Sequence, residues 1–555
     1  MFDFVEKIDK LLQNNKKSEG RNIATLKFNY RVLNLAKMDN TPLMERLNFL
    51  KIINSNIEEF ISIRLPESSC QLEMVEIIEE LYSEMYVVYK NIIRKLNSYD
   101  DLNFIQDYQS QESILYVAVV YNDDSIRLVD PLEDYGDLSE TGVIRNLYYL
   151  KFIRDKSFEF VESYDTFKTI EEEISEVIKI KEKGSFKYII TNCNNSDLDL
   201  ISPYINIDKS HFIICNEEMV VIDKIQEALK KLNPDDSLYY KKEKPDYLYF
   251  DYENLSVDTL IRTPYQSYDH VLDFINQMCD SKNINSIFMT IYRIGKSNDI
   301  LDALKRASES GKNVVVYIEP TARGDEERNL ELIQSLRNTN IQILKKYHNY
   351  KVHAKCFCAI SNNGKIFTHI GTGNYNVDTS RIYTDMHLIT SDYHTGVTVL
   401  SLFRLLSGAD SCYNTDLFKR FKISPYGTKD EIIKRINEEQ YKIDIKCNAL
   451  CDKAVIDALY DAASRGVMIR LLIRTACTTE HVENIEIRSK VGRYLEHDRI
   501  YIFSDIAYIS SADLLTRNLS KRVEILYPLK SVYKEKVSDI FNKEWNSETC
   551  FEITD

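Results

Sequence analysis

No run of the 555-residue chain approaches the ~20 consecutive apolar residues that a membrane-spanning helix requires. The eleven cysteines include no C-x-x-C pair, so the spacing of a zinc ribbon or dithiol redox motif is missing. Cys356 and Cys358, in one apolar run, read as small buried hydrophobes. The opening stretch "MFDFVEKIDKLLQNNKKSEG" has acidic residues in its first turns and no continuous apolar core, unlike a secretory leader. Reduced thiols and a cytoplasmic location are expected. Positive charge is also short: 71 Lys and Arg stand against 86 Asp and Glu, a formal net charge of −15. That balance argues against general nucleic-acid affinity, and a polyanionic substrate would need a local pocket of positive charge.

What is present is an ordinary globular composition in a chain too long for one core. Residues 1–97 repeat apolar positions at three- and four-residue spacing, as in "QLEMVEIIEELYSEMYVVYKNIIRKL", and predict a helical domain. Residues 98–245 alternate short β-type runs ("ILYVAVVY", "FKYIITNC", "HFIICN") with helical ones ("TFKTIEEEISEVIKIKE", "EMVVIDKIQEALKKL"), a mixed α/β module. From residue 246 the pattern becomes strand–helix–strand, which predicts a parallel sheet covered by helices.

An internal repeat divides this last region. Asp302-Ala303-Leu304, Ala307 and Gly311 recur as Asp457-Ala458-Leu459, Ala462 and Gly466, at a constant offset of 155 residues. The following strand recurs too, "NVVVYIEPTA" beside "VMIRLLIRTAC". Such a period indicates two copies of one α/β unit, 246–422 and 423–555, rather than a solenoid. Further along, His353 and Lys355 correspond to His497 and Arg499. Gly371-Thr372-Gly373-Asn374 corresponds to Ser510-Ser511-Ala512-Asp513.

"YKVHAKCFCAI" predicts a strand, on which His353 and Lys355 would share a face. Two facing copies would bring both histidines into one cleft suited to phosphoryl transfer. One imidazole would attack phosphorus, and the other would handle a proton or the developing charge. Lys355 and Arg499 would supply fixed charge to non-bridging oxygens. Backbone N–H groups of the Gly371–Gly373 turn would approach an oxyanion because no Cβ intervenes. Arg293, Arg323, Arg381 and Arg474, at expected strand ends, would complete the positive pocket.

The stretches "KVHAK", "HIGTGNYNVDTSRIYTD", "GRYLEHDRI", "SSADLLTRN" and "KRVEILYP" closely resemble the catalytic half of polyphosphate kinases of the first type. "PYQSYDHVLDFI", "IYRI" and "ARGDEERN" extend the resemblance upstream, and "FNYRVLNLAKMDNTPLMERLNFLKIINSNIEEF" matches that family's first domain. The resemblance implies a multidomain fold: an N-terminal helical domain, a mixed α/β middle domain, then two tandem phospholipase D-like α/β domains sharing one active site. It implies reversible transfer of the terminal phosphate of ATP to inorganic polyphosphate through a phosphohistidine on His353, with Mg2+ as cofactor. It assigns Asn56, Tyr383, Arg474 and His497 to nucleotide and phosphate contacts, which Asn374 and Arg499 would join. Arg293 and Arg323 fall at its magnesium site. An arginine has no lone pair for a cation, so both would grip phosphate oxygens beside Mg2+. ATP, ADP and polyphosphate are the expected partners, with no nucleic acid and no integral membrane segment; a homo-oligomer is expected, and peripheral membrane association stays open. Where the family carries a tryptophan-containing motif, "NIATLKFN" stands here, and the middle and C-terminal domains are shorter. Two alternatives remain: a phospholipase D-type phosphodiesterase acting on lipid or nucleic acid, and a non-catalytic polyphosphate-binding protein. Against the first, Ile360 stands where the H-x-K-x4-D pattern has aspartate, and Arg499 replaces its second lysine.

Overall fold

A computed structural model describes residues 20–96, 113–129, 144–154, 172, 175, 186–231, 236–255, 258–292, 299–319, 326–344, 350–408, 418, 420–480 and 482–553. The chain forms two compact units, one of residues 1–160 and 181–242, the other of residues 161–180 and 243–555.

In the first unit, helices Gly20–Lys37, Leu43–Ile63 and Gln71–Leu96 pack together. The last buries Met74, Ile77, Ile78, Leu81, Met85, Val88 and Ile92, the three- and four-residue spacing that its sequence shows. The sheet beside them contains β1 (Ser113–Tyr121), β2 (Ile126–Val129), β3 (Ile144–Arg154), β4 (Phe186–Thr191) and β5 (Phe212–Ile214), in the order β2-β1-β3-β4-β5. The β4–β5 pair is parallel and the rest antiparallel. Of the expected helix "TFKTIEEEISEVIKIKE", only Glu172 and Ser175 are among the described residues, and both are helical. Expected helix 218–232 is broken at Val221 into Glu217–Val220 and Ile222–Lys231.

The second unit holds the duplication. Its first lobe contributes β6 (Thr259–Thr263), β7 (Ile284–Ile291), β8 (Asn313–Ile318), β9 (Gln342–Leu344), β10 (Lys351–Val352), β11 (Lys355–Ser361), β12 (Ile366–Gly371) and β13 (Tyr383–Thr390). The second contributes β14 (Lys422–Ser424), β15 (Lys442–Leu450), β16 (Met468–Cys477), β17 (Ile485–Lys490), β18 (Leu495–Glu496), β19 (Arg499–Ile502), β20 (Ala507–Ser510), β21 (Arg522–Pro528) and β22 (Cys550–Glu552). The repeated segments become helices Asp299–Glu309 and Lys453–Ser464, and the strands that follow them run parallel to β7 and β15 respectively. The recurring glycine ends each helix in the left-handed region, with φ of +86° at Gly311 and +89° at Gly466. The recurring alanines, both fully buried, lend their carbonyls to the same turn.

Each lobe also gives a two-residue strand to the other's sheet. β10, from the first lobe, pairs in parallel with β21, and β18, from the second, pairs in parallel with β13. The chain then returns to its own sheet as β11 or β19. "YKVHAKCFCAI" is therefore not one continuous strand: it breaks at His353-Ala354, where it crosses between sheets. Both N–H groups at the break bond to the Val523 carbonyl, at 2.9 Å each. One apolar core spans the two lobes, with Cys356 and Cys358 packed beside Ile500, Ile509 and Val523.

Candidate active site

The two crossover points carry the two histidines, and each ring is held by an acid from the opposite lobe. His353 Nδ1 lies 2.9 Å from Glu524 Oε2 on β21, and that oxygen also accepts the Ser511 hydroxyl at 2.6 Å. His497 Nδ1 lies 2.8 Å from Asp385 Oδ1 on β13, which accepts the Thr372 hydroxyl at 2.6 Å. In both cases Nδ1 is engaged and Nε2 is left as the nitrogen available to a ligand. The histidine side chains are only 12% and 13% exposed.

Burial depresses the pKa of His353 well below that of free imidazole, and the charges of Lys355, Arg522, Arg499 and His497 push it the same way. His353 is thus neutral at pH 7, and His497 is close enough to repel a proton on it. Burial also lowers His497, aided by Arg499 and partly opposed by Asp385. The two acids differ. Glu524 is raised to about 7 because burial outweighs Lys355 and Arg522. Asp385 is held at about 2 by His497, whose charge and hydrogen bond overcome burial.

The cations of the H-x-K and H-x-R pairs lie beneath the histidines rather than facing open solvent. Lys355 is 1% exposed, donates to the His353 carbonyl at 2.5 Å, and has its ammonium 5.3 Å from the Tyr292 ring. Burial lowers its pKa well below the usual lysine value. Arg499, 4% exposed, donates to the His497 carbonyl at 2.6 Å and makes a forked pair with Asp513 at 3.1 Å through both Nε and Nη2. Arg474 donates to Asn448 at 2.7 Å, and its charge reaches His497. The Tyr383 ring packs 5.2 Å from His497, and Tyr292 sits edge-on to His353 at 4.9 Å. Asn374 Oδ1 is buried without a hydrogen-bond partner.

The glycine turn is also closely packed. A Cβ at Gly373 would lie 2.1 Å from Asp385 Oδ2, and one at Gly371 would meet His369 and His387 at 3.1 and 3.2 Å. The missing side chain at Gly373 leaves room for the acid that orients His497. Asn56 lies in the first unit, on helix Leu43–Ile63, donating to Asn29 at 2.9 Å. Arg381 is exposed. Arg293 and Arg323 lie outside the described residues.

Sequence reasoning missed Asp385, Glu524, Ser511 as a hydroxyl donor, and Arg522. A signal for the acids exists: the 139-residue offset that carries Gly371–Asn374 onto Ser510–Asp513 also carries Asp385 onto Glu524.

Three family models match this chain: the polyphosphate kinase N-terminal domain over residues 19–100, C-terminal domain 1 over 253–411 and C-terminal domain 2 over 423–553. The polyphosphate kinase of Staphylococcus haemolyticus is 29% identical, over 92% of this chain and 85% of its own length. That of Bacillus cereus is 38% identical over 50% of this chain and 42% of its own. The crystal structure of polyphosphate kinase from Porphyromonas gingivalis superposes with a TM-score of 0.75 at 23% identity, over 96% of this chain and 94% of that one, an agreement of fold. Architecture and matches together define an enzyme of the phosphotransferase class, a kinase. The chain belongs to the polyphosphate kinase family.

Proposed function

We propose that His353 is the nucleophile, taking the terminal phosphoryl group of ATP and passing it to inorganic polyphosphate. The observation that carries this reading is a neutral imidazole with Nδ1 fixed to Glu524 and Nε2 free, among Lys355, Arg499 and Arg522. The Nε2 lone pair forms a bond to the γ-phosphorus, the bond from that phosphorus to the β-phosphate oxygen breaks, and ADP departs with the electron pair. Glu524 holds the Nδ1 proton and balances the positive charge that the ring acquires. A terminal oxygen of the polyphosphate then attacks the phosphohistidine, the N–P bond breaks, and Nε2 regains its lone pair. The reverse sequence makes ATP.

His497, oriented by Asp385, handles a proton or the developing charge: with a proton on Nε2 it would donate to a phosphoryl oxygen. Arg474 and the N–H groups of the Asn374 side-chain amide would donate to phosphate oxygens, and Tyr383 would meet the nucleotide. Lys355 and Arg499, already bonded to backbone or carboxylate, act by charge at short range. Among the described residues no group of three His, Cys, Asp or Glu is placed to hold a metal, and Asp385, Asp513 and Glu524 are committed to His497, Arg499 and His353. Mg2+ therefore belongs to the nucleotide substrate in this reading, and no ligand for it is assigned on the chain. A cytoplasmic compartment suits ATP as donor; among the described residues no helix is long and apolar enough to cross a membrane.

Incubation with γ-labelled ATP and Mg2+ tests the reading. Acid-labile, base-stable label on the protein is expected, and His353→Ala should abolish both the label and chain synthesis. Full activity in that variant would overturn the mechanism. Headgroup release from phospholipid or DNA cleavage without ATP would favour the phosphodiesterase, and unlabelled protein that still binds polyphosphate would favour the binding module.

A further inference from the structure

The two histidines sit at equivalent points of a duplicated scaffold, yet their backbones rest on different chemistry. Beside His353 are Val352 and Ala354, both buried, and its N–H bonds to a backbone carbonyl, that of Val523. Beside His497 are Glu496 and Asp498, 5% and 1% exposed, and its N–H donates instead to a side chain, Thr384 Oγ1, at 3.0 Å. The 139-residue offset places Thr384 opposite Val523.

The carboxylates of Glu496 and Asp498 enter a buried cluster that joins the lobes. Lys446 on β15 reaches Glu496 at 2.6 Å, Asp498 at 2.5 Å and Glu544 at 2.7 Å. Arg262 on β6 pairs with Asp498 at 3.1 Å and with Glu544. Lys490 on β17 reaches Glu496 at 3.1 Å and Glu544 at 3.5 Å. Three cations meet three carboxylates, so the cluster is neutral and each charge is paired, the condition for burying ions without a large penalty. The Thr384 hydroxyl, fully buried, lies 2.8 Å from Asp498 and 3.1 Å from Glu496. It donates into the cluster while accepting from His497.

We propose that Thr384, anchored in the Arg262–Lys446–Lys490 cluster, is a positioning residue for His497, and that only this one of the two site histidines is held in this way. Thr384 precedes Asp385, so two consecutive residues fix the backbone and the ring of the same histidine. The first histidine must carry a phosphoryl group and release it. The second only has to stay where the charge develops, and a rigid ionic anchor suits that task.

This inference rests on the reading that His497 takes part in transfer. The test uses the full chain. Thr384→Val, nearly isosteric and matching Val523, removes only the hydroxyl. It should lower kcat about tenfold with KM for ATP unchanged, since small misplacement of a catalytic group acts on the transition state. Thr384→Ser, which keeps the hydroxyl, should stay within about threefold of the parent, a rescue that a purely packing role would not produce. Folding of each variant is followed by its thermal transition. If His497→Ala is inactive while Thr384→Val keeps parental kcat, or if Ser and Val lose kcat equally, the positioning role is overturned. If His497→Ala keeps full activity, the reading of the site itself fails.

Discussion

His353 and Glu524 share a single proton in the state that can attack phosphorus: it lies on Nδ1, the carboxylate is ionised, and Nε2 is bare. A second proton, whether assigned to the carboxyl or to the ring, ends with Nε2 capped, so the pair titrates as a unit. Glu524 stands at about 7. The rate of protein labelling by ATP should therefore fall as pH drops through about 7 and level off above it. Glu524→Gln replaces the acceptor by an amide that can also donate to Nδ1 and leave the proton on Nε2. It should slow labelling by about 10⁴-fold, the order lost when the acid that orients a catalytic histidine becomes an amide, and abolish the acid limb. A rate–pH profile of single-turnover labelling reads both outcomes. Equal rates for the variant and parent across pH 6–8 would remove Glu524 from the mechanism.

Elements explain what the sequence could and could not reveal. The glycine of the repeat was legible because its cause is local: a helix end needs a positive φ, and both copies preserve the residue that adopts it. The histidines were legible because they recur in register. The break in "YKVHAKCFCAI" was not, because its apolar run is as good as a continuous strand. The run is broken only because β21 offers a second edge from some 170 residues away. Asp385 and Glu524 stayed hidden for the same reason: each serves a histidine of the other copy, and no local spacing announces such a pair. The glycines themselves separate into two kinds that mutation distinguishes. Gly311→Ala meets nothing within 4 Å but must hold φ at +86°, so stability should fall by about 1 kcal/mol with activity intact. Gly373→Ala puts a methyl 2.1 Å from the Asp385 carboxylate, so activity should fall by about 100-fold through a displaced His497. Thermal melting beside steady-state kinetics checks both, and the reverse pattern would refute the assignment.

Across the second unit, β10 and β18 make each sheet depend on the other, and the apolar core runs through both. Neither lobe can open fully without stripping a strand from its neighbour. Amide exchange at His353 and Leu495, whose N–H groups bond to Val523 and Ile382, should report the same opening free energy. Two well-separated values would mean that the lobes unfold independently. At this scale the acidic balance of the chain also finds its place. Net charge is negative, but the groups that bear on His353 include Lys355, Arg499 and Arg522, a small basic enclave built where the copies meet.

Severing the backbone between the lobes would give two polypeptides, one owning His353 and Asp385, the other owning His497 and Glu524. Neither fragment could complete even one working imidazole, while each would display a vacant sheet margin shaped for a stretch of the other. Catalysis would then report the meeting of two separately made pieces, and the chain would become a molecular conjunction whose output requires both inputs.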